Sequence, residues 1–590
     1  MSKGKKIRLR PLLVSLCLTL VLLAACAAPA LAGEASVPDS GLPLPPSIAP
    51  VIVLQGSDYN MGYQYFQQVN ELFGPSILQR MQRPAGFTDA QIVALKAYQW
   101  YVMQYTPEFI EMFKGMAQAA TDAGVPLSYT EVLANYVGTT AYPGTEPEES
   151  QDDTLPPSCC AWAAWGKTTT DGGLITGQAM DAPSGEFSNY VAIAAYPDTG
   201  NAYINVTSPG SLNSNPVMPG INNKGVSTTG NSGEATRPID RGVGAYRLRA
   251  GLILHMLRFA NTAAKAKDMW LSYQQTGSWN VTISDVSGNA FVCETSGAFQ
   301  EVREPGDFGE GDFIHSRNNH FTDEGGKANL GDQPGKFYPH GGWSQDPPAG
   351  TDDPGGYADI MMASVRVNQT VYNMFTQYRG RVNLDFAKML FRFTGEMPKD
   401  PWDTVEYRKT KARAWETPGN LDSAFVTIGM PADGDTGVMY VCTGPAVRVG
   451  SPYEAGPYDD LYLIEGTNTF YALPLAKNAD AMVSQARTVA KRDIAWAYQR
   501  LMWKNYGDVG FAGLRALWAE ANTEYFEGAN WTTRARAATG NTKLLYQCYA
   551  ATCYTRADAH AQQIYEALVK PATTPSHLGL KKYKAISYGF

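Results

Sequence analysis

Several signatures of familiar chemistry are absent from this 590-residue chain. It has no Gly-x-Ser-x-Gly elbow and no ordered Ser-His-Asp set, so nucleophilic serine chemistry has no candidate. Beyond residue 32 the cysteines are Cys159, Cys160, Cys293, Cys442, Cys548 and Cys553, and their spacing fits neither a disulfide framework nor a zinc site. Asp352-Asp353 sits in a stretch rich in Gly, Asp and Pro, yet its spacing fits no EF-hand loop, so no metal is expected. No run after residue 25 is long and apolar enough to cross a membrane. Positive charge is also in deficit: 48 basic against 56 acidic residues give a net charge of −8, which argues against nucleic acid as a partner.

What is present begins with a targeting segment over residues 1–32. Lys3, Lys5, Lys6, Arg8 and Arg10 form its basic part, and Pro11 to Ala25 its short apolar part. Two exits compete. Ala30-Leu31-Ala32 is an A-x-A cleavage site, whereas Leu23-Ala24-Ala25-Cys26 resembles a bacterial lipobox that would leave Cys26 acylated. The expectation is an exported bacterial protein, either secreted or held at the cell membrane through a lipid on Cys26. Without the five basic residues the net charge becomes −13. The sequons at Asn205, Asn280, Asn368 and Asn530 are read as chance matches in that setting.

The remaining chain, 44% hydrophobic overall, can bury a large core. Residues 33–50 are Pro/Ser-rich and read as a flexible tether. Val51-Ile52-Val53-Leu54 reads as a strand, followed by a helix beginning near Met61 and helical periodicity over 88–123. Ser128 with Glu131 forms a candidate capping box. Residues 142–158 are acidic and Pro-rich, a solvated loop and a suitable place for a backbone cut, although a plain linker would look the same. From 159 to about 450 the pattern is β-rich: 190–196 with 202–206, 281–285 with 290–294, and 424–428 with 438–442 read as paired strands. One long helix over about 244–265 interrupts them, and 322–359 reads as a long surface loop. After about 476 the chain turns helical. Val483, Ala486, Ala490, Ile494, Ala497 and Leu501 form a core-facing stripe, and further helices are expected over 510–526 and 543–569.

The most informative stretch is Ser158-Cys159-Cys160-Ala161-Trp162-Ala163-Ala164-Trp165-Gly166, then Asp171-Gly172-Gly173, then Gly177-Gln178-Ala179-Met180-Asp181. It reads as strand, tight turn and strand, ending in a carboxylate 22 residues beyond Cys159. A pair of buried structural cysteines is the bland alternative. The hairpin and its acidic end instead resemble the opening of an N-terminal-nucleophile (Ntn) hydrolase, in which self-cleavage makes a cysteine the new N-terminus. A thiol reacts as its thiolate, and an α-amino group with a pKa of about 7.7–8.0 is well placed to take its proton.

Within that class the chain resembles the acyl-CoA:6-aminopenicillanate (penicillin) acyltransferase family over roughly residues 50–450. Val53 to Gln64, and Asp122-Ala123-Gly124-Val125-Pro126 with Leu133-Ala134-Asn135, resemble its pre-cleavage signatures. These distinguish the chain from Ntn dipeptidases; bile-salt hydrolases and phospholipase-B-like proteins are cousins. The resemblance implies an α+β fold: a four-layer αββα Ntn-hydrolase sandwich over 159–475. A helical propeptide or α subunit would precede it over 51–158, and a helical extension would follow over 476–590. It makes Cys159 the nucleophile, with Cys160 the neighbour if the register slips by one. Asp181 would orient the new α-amino group, and Asn280 and a loop residue, Asn231, would supply the oxyanion hole. Asn319, His320 and Arg366 would line or buttress the pocket. Ala179 replaces a usual asparagine and Ser158 a common glycine. No cofactor is implied. The substrate would be a small acyl amide or peptide, and export argues against acyl-CoA as a donor. A catalytically silent binding lipoprotein of the same fold is the rival expectation. The oligomeric state stays open.

Overall fold

Near-continuous apolar runs such as Val51-Ile52-Val53-Leu54 are buried along their length, as expected of strands covered on both faces. The computed structural model describes residues 48–82, 99, 103–137, 159–181, 190–210, 218–233, 248–273, 278–295, 300–307, 309–317, 367, 370–392, 418, 423–444, 446, 469–503 and 512–568. All of them belong to the unit that runs from Pro45 to Phe590. The expected targeting segment with Cys26, the expected tether up to residue 47, and the stretches 142–158 and 322–359 lie outside the described residues.

The chain is a mixed α/β protein with two sheets and helices. The first sheet contains β1 (Val51–Gly56), β4 (Val191–Pro197), β5 (Tyr203–Thr207), β6 (Gly220–Asn222), β7 (Val226–Gly233), β8 (Ser278–Asp285), β9 (Ala290–Thr295) and β10 (Gln300–Arg303), in that spatial order. Among its described strand pairs only β1–β4 is parallel. The second sheet runs β11 (Phe313–Arg317), β2 (Cys160–Ala164), β3 (Ile175–Asp181), β12 (Ser423–Met430), β13 (Val438–Thr443), β14 (Tyr471–Pro474), all antiparallel. The two sheets meet face to face where β2, β3 and β11 lie against β7, β8 and β9.

The strand pairs expected from sequence form as hairpins, including β2–β3 around Asp171-Gly172-Gly173. Gly172 takes φ +79 there, and the Asp171 carboxylate accepts the Gly173 N–H at 2.9 Å. Residues upstream of Cys159 contribute a strand as well as helices, since β1 borders the first sheet and α1 (Asp58–Phe73) packs on it. α2 (Glu108–Asp122) packs on α1, and α3 (Tyr129–Val137) follows the expected capping box. In that box the Ser128 N–H donates to Glu131 Oε2 at 2.9 Å, and the Glu131 N–H to Ser128 Oγ at 3.3 Å.

Local chemistry corrects several expectations. α1 begins at Asp58 rather than near Met61, because Ser57 Oγ caps the Asn60 N–H. The helix expected over 244–265 is broken into α4 (Leu248–Phe259) and α5 (Ala263–Leu271), since Thr262 leaves helical geometry and caps the Lys265 N–H. Helices at 370–377 and α6 (Leu384–Phe391), the latter capped by Asn383, also interrupt the β-rich part. α4 and α5 cover the first sheet from β5 to β9, and α6 covers β3 and β12.

After β14 come α7 (Ala479–Trp503), α8 (Ala512–Ala537) and α9 (Gly540–Leu568), packed on one another. The stripe Val483, Ala486, Ala490, Ile494, Ala497 and Leu501 is buried throughout. α9 is tied to the sheets: the Val51 N–H donates to Thr552 Oγ1 at 3.0 Å and the Ala472 N–H to Asp558 Oδ2 at 2.9 Å. No helix among the described residues is long and apolar enough to cross a membrane.

Candidate active site

Side chains alternate along a strand, so each residue of β2 and β3 belongs to one face or the other. Cys160, Trp162 and Ala164 pack with Ile175, Ala179 and the helices at 370–377 and α6. Trp162 meets the rings of Phe375 and Phe391 at 5.1 and 5.9 Å. A Cβ at Gly177 would run into both Trp162 and Phe391. Cys159, just before β2, has the opposite parity. Its thiol is buried toward the other sheet, with Sγ 3.6 Å from Met180 Sδ.

That inward face is mixed: Ala163 and Ile314 pack with Val292 in a small apolar cluster, and polar side chains stand beside it. Thr176 Oγ1 bonds Ser227 Oγ across the sheets at 3.0 Å, and Gln178 Oε1 accepts the Gly230 N–H at 2.9 Å. Asn231 and Asn280 are register partners on β7 and β8, and both are buried. Asn231 therefore sits in a strand rather than a Gly-rich loop. Asn231 Nδ2 donates to Ser316 Oγ at 2.9 Å, and Ser316 Oγ in turn bonds Thr282 Oγ1 at 2.9 Å. Ala161 stands abreast of Ser316 on one side and Gln178 on the other. Cys159 is two residues further along, roughly 7 Å at the rise of an extended strand.

Asp181 ends β3 opposite Ser423. Asn319, His320 and Arg366 lie outside the described residues. Gln178 and Ser316 thus share a face with Cys159 on adjoining strands, and Asn231 meets Ser316 across the gap between the sheets. Gln178 and Ser316 were not anticipated; the available signal was their parity with Cys159 once the strands are drawn. Ala179 points to the helical side, so the missing asparagine removes nothing from the Cys159 face.

Behind Ser316 lies a buried charge cluster. Arg303 donates to the His315 carbonyl and pairs with Glu310, with Glu294 at 3.7 Å. Burial pushes the Glu310 carboxyl up, but the hydrogen bond with His315 and the Arg303 charge outweigh it and hold it below its ordinary range. Burial holds His315 down, toward the neutral ring. Elsewhere Cys293, Cys442 and Cys548 are buried, and burial raises the Cys293 thiol to about 12. Among the described residues Glu524, Glu527 and Cys553 bring ligand-type atoms together, but Arg556 Nε already sits 3.0 Å from Glu524. Burial and the two carboxylates push the Cys553 thiol up, away from a metal-binding thiolate.

No known family profile matches the chain. A protein of Archaeoglobus fulgidus described as uncharacterized is 26% identical over 265 residues, 42% of this chain and 42% of that protein. The chain thus spans less than half the length of that relative. Among solved structures, the chain is similar to a Caenorhabditis elegans N-acylethanolamine-hydrolyzing acid amidase ortholog at 12% identity and TM-score 0.26, over 46% of this chain and 93% of that one. A variant of conjugated bile acid hydrolase from Clostridium perfringens gives 14% identity and TM-score 0.26, over 48% and 89%. Penicillin V acylase from Agrobacterium tumefaciens gives 12% and 0.22, over 48% and 83%. TM-scores this low do not establish a shared fold.

Proposed function

We propose that the chain is an exported Ntn-type cysteine amidohydrolase, built as an αββα sandwich and self-cleaved before Cys159. Its substrates would be acyl amides or small peptides. The observation that carries this reading is the parity of β2 and β3. Cys159 lies beside Met180 on the face toward the other sheet, the face of these strands that also carries Gln178 and Ser316, while Cys160 packs into an aromatic core against helices.

In self-cleavage the Cys159 thiol attacks the Ser158 carbonyl, the peptide bond breaks, and water hydrolyses the resulting thioester. This leaves a carboxylate on Ser158 and an α-amino group on Cys159. In turnover that amine takes the thiol proton as sulfur attacks the substrate carbonyl. Asn231 and Asn280, opposite each other on β7 and β8, donate to the oxyanion. Collapse expels the amine, which receives the proton, and water then releases the acid from the thioester. The resemblance gives the orienting of the α-amino group to Asp181, which ends β3 and in its alternation falls with Ala179 rather than with Gln178.

Intact mass and N-terminal sequencing of the purified protein, beside Cys159→Ala, test the proposal. Two fragments with a new terminus at Cys159, absent from the variant, are expected. A start at Cys160 would move the nucleophile by one residue, and an uncut chain in both samples would sink the mechanism. Export and acylation of Cys26 are read separately, by cell fractionation and by mass after lipase treatment.

A further inference from the structure

The polar layer contains a residue whose geometry is aimed at Asn231 rather than at the substrate. An asparagine carboxamide turns about a soft sp³–sp² torsion, so hydrogen bonds rather than rotamer preference fix its plane. We propose that Ser316 is a positioning residue that fixes the Asn231 carboxamide for the oxyanion formed at Cys159. This rests on the reading of Cys159 and Asn231 given above.

Ser316 comes from β11, on the sheet opposite β7, and is buried. Its Oγ accepts one Asn231 Nδ2–H at 2.9 Å and shares a second hydrogen bond with Thr282 Oγ1, also at 2.9 Å. A hydroxyl has one hydrogen and two acceptor sites, so it serves both partners together. Spending one amide hydrogen on Ser316 fixes the plane and directs the other. Two further contacts hold this arrangement in place. Gln178 accepts the Gly230 N–H and anchors the backbone before Asn231. Arg303, buried with Glu310, holds the His315 carbonyl and so anchors the backbone before Ser316. Ser316 pairs with Ala161, two residues from Cys159 and of the same parity.

The test uses two reagents on the full-length, processed protein. p-Nitrophenyl acetate acylates the thiol through a tetrahedral oxyanion and needs no particular acyl pocket. Iodoacetamide alkylates the thiol by displacement and forms no oxyanion. Both adducts at Cys159 are followed by mass. Asn231→Ala should slow acylation by about 10²-fold, the scale of losing one oxyanion donor. Ser316→Ala should slow it about tenfold, a part of that loss. Thr282→Val, which keeps the shape and removes only the second bond, should slow it less. Iodoacetamide labelling should be nearly unchanged in all three. Ser316→Ala in an Asn231→Ala background should cause no further loss, since Ser316 acts through that amide. Equal slowing of both reagents, or additive losses in the double variant, would overturn the proposal and make Ser316 merely structural. The underlying reading fails differently: the parent would remain uncut, or Cys159→Ala would take up acetyl as fast as the parent.

Discussion

Strands β2, β3 and β11 have two faces made of different material. Toward the helices, Trp162, Phe313, Phe375, Phe386 and Phe391 form an aromatic core, with Phe313 and Phe375 stacked at 5.0 Å. Toward the other sheet the same strands carry Thr176, Gln178 and Ser316, each hydrogen-bonded across the gap, beside smaller apolar contacts such as Ala163 and Ile314. Apolar burial is non-directional and tolerates any shape that fills the volume. Buried polar groups cost free energy unless their partners are placed, so the polar face fixes positions where the aromatic face mainly supplies stability. Two adjacent cysteines, one on each face, are therefore not equivalent.

The sharpest break is at that pair. Cys159→Ala should abolish both self-cleavage and acyl turnover, whereas Cys160→Ala should leave a cut before residue 159, as read by N-terminal sequencing. Next in size, Trp162→Ala should lower stability by about 3–5 kcal/mol in denaturant unfolding, since it empties the centre of the aromatic face. At permissive temperature the variant should still be processed, and loss of cutting without loss of fold would blur the contrast between the faces.

On the inward face Thr176→Val, which removes the bond to Ser227, should cost about 1 kcal/mol. Ser227 keeps a second contact, to the Gly220 carbonyl at 3.3 Å. A cost several times larger would mean the polar layer is also the main source of stability.

The smallest effect belongs to another buried polar set, in the C-terminal helices. Burial, together with the neighbouring Asp493 carboxylate, pushes the Asp558 carboxyl well above its ordinary 3.8. The folded chain thus holds a proton that the unfolded chain releases as pH rises above that value. The stability Asp558 contributes is complete below about 3.8 and is lost as pH climbs through the raised value. Asp558→Asn, which keeps the protonated shape, should flatten the fall of Tm with rising pH and raise Tm at neutral pH. An unchanged Tm–pH profile would show that the pair is relieved in another way.

The Asp-Gly-Gly turn, the flanking alternation and the capping box at Ser128 were legible because each depends on neighbours a few residues apart. The buried stripe of α7 was legible through its helical period. The break at Thr262 was hidden, since a capping threonine looks like any threonine until the chain leaves the helix. Asn231 was misplaced in a loop, because Gly-Asn-Ser signals a turn locally and pairing with β8 overrode it. Asn319, His320 and Arg366 fall outside the described residues.

By itself the sequence determined the alternation that gives Cys159 and Cys160 opposite parity, because the period of a strand is a property of the backbone. It could not say which parity faces the other sheet. Tertiary packing decided that, by seating aromatic rings on one side and setting Ser316 beside Asn231 on the other. Those two residues are 85 positions apart and meet only because the sheets stack.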